Sequence, residues 1–452
     1  MDSETLYAGH VEAVRRATAG ALKTSQEHGG AAYAGIVFHA GSAQLFHADD
    51  QEIPFRSVAH FARFVPAPGP DHALVFRPDR PPRLVRHLHQ GFWEEAPAAP
   101  DLPPFVAVLD VVDVHDLDGS KQALGDVSKC AYVGNNPAFA DALGIGVDAI
   151  EPRPLMAALD WERAYKTPFE VECVREAGRI AGLGHAAVRA GVAGGRSERE
   201  LHFDYLRATG QLDQETPYGN IVAWDEAGAI LHYRSKRSVA PAPGRTFLID
   251  AGAVHLGYCS DITRTYVRGG THPTFREVVN RVIALQEELV QSVAPGLDYV
   301  ALHEQAVHGV AAILVDLGIL VGVDADAAFT QGLCQPFFPH GLGHHLGLQV
   351  HDVGGRQVDA QGTIAPPDPR YPFLRTTRPL EPGQVVTIEP GLYFIPLLLE
   401  PFRSGEHTAC FDWDLIDALV PCGGVRIEDD VVVTATGREN LTRPFVPVSP
   451  DV

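Results

Sequence analysis

Four carboxylates between positions 250 and 428 sit in runs whose other residues are largely apolar. They are Asp250 in FLIDAGA, Asp261 in CSDITRT, Glu389 in VTIEPGLYF and Glu428 in VRIEDDV. A charge in such a strand-like run is costly unless a partner compensates it. Taken singly, each Asp reads equally well as a loop cap or a carboxylate bonded to backbone amides. Alternation along VVTIEPG puts Thr387 and Glu389 on one face, and Arg426 shares a face with Glu428. Either pattern also describes an ordinary solvated strand face. Asp429 and Asp430, however, add charge to an edge that is already acidic, and a cation would relieve that repulsion. The segment FFPHGLGHHLGLQVHD adds His340, His344, His345 and His351. Its glycines let backbone pass close to a neighbour, and imidazoles near neutral pH serve as ligands or proton carriers. His232, in AILHYRS, is a further candidate with no spacing of its own to support it. Carboxylates with imidazole suit hard divalent cations, and this many carboxylates could bridge two of them.

Strands and helices must bring these residues together. Asp250 ends an apolar strand, and a turn region at Gly257-Tyr258 predicts a hairpin that carries Asp250 and Asp261 to one edge. Thr167 and Pro168 supply a helix cap and first position. Ser197 with Glu200 forms a capping box for a second helix. FREVVNRVIALQEELVQSV predicts a third. Helices with a curved, mostly antiparallel sheet make an α+β domain over 161–452. Residues 1–160 mix helices with the strand-like runs AGIVFHA, HALVFRP, FVAVLDVV and CAYVG, which predicts a smaller α/β domain. Two Pro-rich stretches, FVPAPGPDHALVFRPDRPPR and EEAPAAPDLPP, read as surface connections.

The net charge of −21 and pI near 5.4 repel nucleic acid and anionic lipid, so neither is an expected partner. No apolar run approaches the ~20 residues needed to span a bilayer, and the N-terminus lacks signal-peptide character. A cytoplasmic protein is expected. The six cysteines show no CxxC pairing, as for free thiols in a reducing compartment. Cys259 reads as a buried filler or as a soft ligand near Asp261.

The series FLIDAG, SDITRT, PHGLGHHLGLQVHD, TIEPGLYF and GGVRIEDDVV resembles the metallopeptidase family of prolidase, aminopeptidase P and methionine aminopeptidase. Within it, PYGNIVAWDEAGAILHY and RYPFLRTTRPLEPG look most like bacterial Xaa-Pro dipeptidases, as do the N-terminal ADDQEIPF and GFWEE. The resemblance implies a pita-bread catalytic domain. It also implies two divalent metal ions, with manganese preferred and cobalt or zinc as alternatives. Asp250, Asp261, His344, Glu389 and Glu428 would be the ligands, with His344 as the second histidine of HGxGH. His351 and His232 would contact substrate, and Glu389 would carry a proton to the leaving nitrogen. Arg375 would clamp the substrate carboxylate, with Arg378 as its rival. Arg426 and His340 would orient the shell, and His340, Tyr218, Tyr393 and Trp93 would line the pocket. Relatives being dimers, a homodimer is implied in which Asp49 or Asp50 enters the partner's site.

The implied reaction is hydrolysis of Xaa-Pro dipeptides, a hydroxide between the metals attacking the carbonyl before proline. Aminopeptidase P-type cleavage of longer peptides and an organophosphorus acid anhydrolase side activity are the alternatives. A non-catalytic pita-bread module is disfavoured, because all five ligand positions are retained.

Overall fold

The computed structural model describes residues 3–66, 69–88, 92, 108–242 and 244–452. They form two compact units, one of Met1–Glu170 with Gln357–Ile364, the other of Val171–Arg356 with Ala365–Val452.

In the first unit, helix α1 (Ser3–Glu27) precedes β1 (Ile36–His39) and a small hairpin, β2 (Gln44–Leu45) and β3 (Glu52–Ile53). Then come α2 (Ala59–Ala62), β4 (Ala73–Arg77), β5 (Arg80–His87), β6 (Asp110–Val114), α3 (Leu117–Leu124), β7 (Ala131–Val133), α4 (Pro137–Ala142) and α5 (Arg153–Ala164). Five strands make one mixed sheet in the order β6-β5-β4-β1-β7. Val37, Val75, Val85 and Tyr132 bury one side of it. The first Pro-rich stretch is not a surface connection. Its later part, residues 73–83, belongs to the β4–β5 hairpin, with a register irregularity between Val75 and Arg77. Prolines at the start of a strand cost no ladder bond that a neighbour needs. The second stretch lies outside the described residues.

The second unit takes most of α6 (Pro168–Ala193), then α7 (Glu198–Thr209), β8 (Ile221–Trp224), β9 (Thr246–Asp250), β10 (Val254–His255), β11 (Tyr258–Cys259) and β12 (Thr263–Val267). It continues with α8 (Pro273–Ser292), α9 (Tyr299–Asp316), α10 (Ala325–Thr330), β13 (Val385–Ile388), β14 (Gly391–Tyr393), α11 (Pro396–Leu399), α12 (Trp413–Leu419), β15 (Gly424–Arg426), β16 (Asp429–Val433) and β17 (Arg438–Asn440). Thr167 caps α6 through Glu170 N at 3.3 Å, and the Ser197–Glu200 capping box starts α7.

Each pair of long helices covers its own small antiparallel sheet. Val188 and Val192 of α6 and Leu201 and Tyr205 of α7 pack on Val222, Phe247 and Ile249. Val278, Val282 and Leu289 of α8 and Val310 and Leu314 of α9 pack on Val386, Ile388 and Val431. The sheets run β12-β9-β8 and β13-β16-β17. They are separate ladders rather than one continuous curved sheet, and among the described residues a bridge, Thr263 to Glu428, links β12 to the residue that precedes β16. That bridge lies at the candidate site.

Among the described residues no helix is long and apolar enough to cross a membrane. None of the six cysteines forms a disulfide, and all but Cys410 are buried.

Candidate metal centre

Strand pairing sets the first two carboxylates. In one row of the sheet, Asp250 faces Ile221 on one side and Thr263 on the other. Between β9 and β12, Leu256 (φ 50°) and Gly257 (φ 86°) close the β10–β11 hairpin. Consecutive left-handed residues of this kind fit the twist of a tight hairpin. Asp261 follows that hairpin, two residues ahead of Thr263. Its backbone N–H donates to the Asp430 carboxylate at 3.1 and 3.3 Å, and its Oδ1 accepts from Tyr218 Oη at 2.6 Å.

The histidine-rich segment runs alongside β13 without forming a strand, joined to it by a bridge between His345 and Val386. Thr387 N donates to His344 O at 2.9 Å and Glu389 N to Leu342 O at 2.8 Å. A Cβ on Gly343 would stand 2.0 Å from Thr387 O, so this close approach requires glycine. The pairing aims His344 Nε2 at Asp261 Oδ2, 3.4 Å away, and at Glu389 Oε1, 3.6 Å away. His344 Nδ1 lies 3.0 Å from His345 O. Donation there leaves the Nε2 lone pair facing the carboxylates, the arrangement of a metal-binding imidazole.

Glu428 accepts from Thr263 Oγ1 at 2.6 Å. Ligand atoms of Asp261, His344 and Glu428 all lie within 4.8 Å of one another. Asp250 joins through Arg426, whose Nη2 donates to its Oδ2 at 2.5 Å, while its buried Oδ1 has no hydrogen-bond partner. Arg426 also donates to Thr263 Oγ1 at 3.1 Å and to Tyr393 Oη at 3.0 Å.

Electrostatically the cage is short of positive charge. Burial, compounded by the other acids, raises Asp250, lifts Glu428 well above the carboxylate range and pushes Glu389 to about 7. Burial opposes charging His344, yet Asp261 and Glu389 outweigh it and raise the imidazole. Four acids, one imidazole and an orphaned carboxylate oxygen fit hard divalent cations, which would let the acids ionise. Cys259 is not in the group of converging ligand atoms among the described residues; its thiol lies 3.9 Å from Leu348 O.

The surrounding candidates divide by exposure. The His351 ring sits 4.4 Å from that of His344. Its pKa is lowered to about 4, by desolvation first and then by His344 and Arg375. His232 is exposed, whereas burial, and after it the charge of Arg426, lowers the His340 pKa to about 3. His340 Nε2 lies 2.8 Å from Tyr393 Oη. Tyr393 is fully buried, so it is an internal link between His340 and Arg426 rather than a pocket wall. Tyr218, half-buried, is likewise tied to Asp261.

Arg375 is exposed, and no hydrogen bond or ion pair among the described residues holds its guanidinium. Arg378 is buried and paired with Glu381. Asp49 and Asp50 are exposed at the tip of the β2–β3 hairpin in the first unit. Trp93 lies outside the described residues.

Thr263 was not singled out from the sequence and Asp430 was read only as added charge on an acidic edge, although both hold candidate ligands. The signal for Thr263 was its two-residue spacing from Asp261, which places both on one face of an extended strand. Asp430 offered no comparable signal, because its partner is 169 positions away.

Comparisons with known proteins show what the chain is similar to. Residues 172–435 match metallopeptidase family M24, and residues 5–161 match the N-terminal domain of Xaa-Pro dipeptidase. The chain is 39% identical over 442 residues to a Xaa-Pro dipeptidase of Pseudoalteromonas atlantica, covering 97% of this chain and 98% of that protein. To the Xaa-Pro dipeptidase of Xanthomonas axonopodis it is 40% identical, covering 97% of each. The structure is similar to Escherichia coli aminopeptidase P, with a TM-score of 0.71 at 26% identity, over 97% of this chain and 96% of that one.

Proposed function

The chain belongs to metallopeptidase family M24 and carries the N-terminal domain of Xaa-Pro dipeptidases, and on that premise we propose that it hydrolyses Xaa-Pro dipeptides at a divalent metal centre. Its second unit is the pita-bread catalytic domain of the family. The observation that carries the reading is the convergence of Asp261, His344 and Glu428 ligand atoms within 4.8 Å. Asp250 and Glu389 would complete, with these three, the set of residues that holds two ions. Oxygen-rich ligation favours manganese, with cobalt or zinc as substitutes.

Divalent ions held there supply Lewis acidity, lowering the pKa of water toward neutrality and polarising the scissile carbonyl. The protein's own side chains do the rest. His351, at the exposed side of His344, donates to the carbonyl oxygen as negative charge develops on it. His232 hydrogen-bonds the substrate next to the scissile bond. Glu389, between His344 and His340, passes a proton to the leaving imino nitrogen. Arg375 holds the substrate's C-terminal carboxylate in a planar fork, and so limits the product side to one residue. The freedom of Arg375 and the engagement of Arg378 support that assignment. An open product side, as in cleavage of longer peptides, would have no use for the clamp.

A cytoplasmic homodimer belongs to the same proposal, with Asp49 or Asp50 of the exposed hairpin reaching the partner's site. The test is turnover of an Xaa-Pro dipeptide against the matching tripeptide by metal-stripped protein given Mn²⁺ back.

A further inference from the structure

The start of α7 carries a charged side chain that the metal centre does not use. Glu198 is fully buried, at 0% exposure. One carboxylate oxygen accepts from Trp224 N at 3.0 Å. The other accepts from Tyr233 Oη at 2.8 Å and Arg237 N at 2.6 Å. A buried carboxylate is costly without donors; these three, with the positive end of the helix dipole, compensate it.

The donors are not scattered. Trp224 ends β8, and Arg237 closes the segment that follows, so Glu198 ties the two ends of residues 225–236 together. Arg199 N reinforces the tie through Arg237 O at 3.1 Å, and the Arg237 guanidinium reaches Glu226 at 2.8 Å. Tyr233, the third donor, directly follows His232. Tyr233 is 7% exposed while His232 is exposed. Residues 230–233 form a turn closed by Tyr233 N donating to Ile230 O at 3.0 Å, so anchoring Tyr233 inward fixes the turn that presents His232 outward.

We propose that Glu198 is a positioning residue for substrate binding: through Tyr233 and the ends of the 225–236 segment it sets His232 against the dipeptide. The inference rests on the proposed contact of His232 with substrate. None of the hydrogen bonds of Glu198 reaches a ligand of the metal centre, so its effect is on substrate and not on metal.

The experiment is a double-mutant cycle. Tyr233→Phe and Glu198→Gln are each made alone and with His232→Ala. Steady-state kcat and KM for Ala-Pro are read beside Mn²⁺ affinity of the stripped protein. Expected are a loss in kcat/KM of about tenfold for Glu198→Gln and a smaller one for Tyr233→Phe, carried mainly by KM. Mn²⁺ affinity stays within about twofold of wild type, and both losses vanish in the His232→Ala background. Equal losses in both backgrounds would mean a purely structural role and overturn the proposal. Impaired His232→Ala beside unimpaired Tyr233→Phe and Glu198→Gln would overturn it while leaving the His232 contact intact. Unimpaired His232→Ala would instead remove the substrate reading of His232, and this inference with it. Should Glu198→Gln fail to fold, Tyr233→Phe, which deletes one hydroxyl, decides alone.

Discussion

Replacing Thr263 by valine should weaken metal binding without unfolding the protein. Thr263 is fully buried and its hydroxyl does two things at once: it donates to Glu428 Oε2 at 2.6 Å and accepts from Arg426 Nε at 3.1 Å. Valine keeps the shape and removes both bonds. Holding cations requires Glu428 ionised, and a donated hydrogen bond favours that form. In stripped protein burial and the acidic neighbours shift Glu428 toward its protonated form, so the hydroxyl is worth less there. The difference falls on the loaded state. A hydrogen bond to a charged group is worth about 1.5–3 kcal/mol, which converts to a rise in Kd of about 10- to 100-fold. The assay is calorimetric titration of Mn²⁺ into chelator-stripped wild type and Thr263→Val, with melting of both metal-free proteins alongside. A Kd within about twofold of wild type, with equal melting curves, would refute the idea that Thr263 holds Glu428 for metal.

Two further outcomes are expected. Arg375→Ala raises KM for dipeptides by at least about tenfold with little change in kcat, whereas Arg378→Ala lowers thermal stability instead; the reverse pattern would move the carboxylate clamp to Arg378. His303, buried against Tyr371 and Phe338, has its pKa lowered to about 4 by desolvation. Below about 6.5 the unfolded chain takes up a proton that the folded protein refuses, so stability falls as pH drops from there toward 4, by about 1.4 kcal/mol per unit. His303→Phe should therefore shrink the loss of unfolding free energy between pH 7.5 and pH 5 by about 2 kcal/mol, read from denaturant melts; an unchanged loss would place the acid sensitivity elsewhere.

What could be read from the sequence was local or motif-borne. The Thr167-Pro168 start of α6 and the Ser197–Glu200 box of α7 follow from side chains three residues apart, and both stand as expected. The five candidate ligands were legible because each sits in a short apolar run with its own signature. Partners distant in sequence were not. Thr263 meets Glu428 across 165 positions and Asp261 meets Asp430 across 169, contacts set by how two sheets abut rather than by either strand. Periodicity likewise suggested a face for Glu389 and Glu428 that solvent could share, whereas β13 and β16 are buried on both faces. Prolines hid β5, since a bulged hairpin start looks like a loop. Glu198 was passed over beside its capping neighbours because its donors lie 26 to 39 residues on.

Metal-dependent hydrolysis of a dipeptide is tested most directly by stripping the protein with chelator, returning Mn²⁺, and following Ala-Pro beside Ala-Pro-Ala. Stripped protein should be inactive, Mn²⁺ should restore cleavage of Ala-Pro, and the tripeptide should be cut at least about tenfold more slowly per unit kcat/KM. Activity that survives chelation would contradict the role of Asp250, Asp261, His344, Glu389 and Glu428. Equal turnover of the tripeptide would contradict the clamp at Arg375.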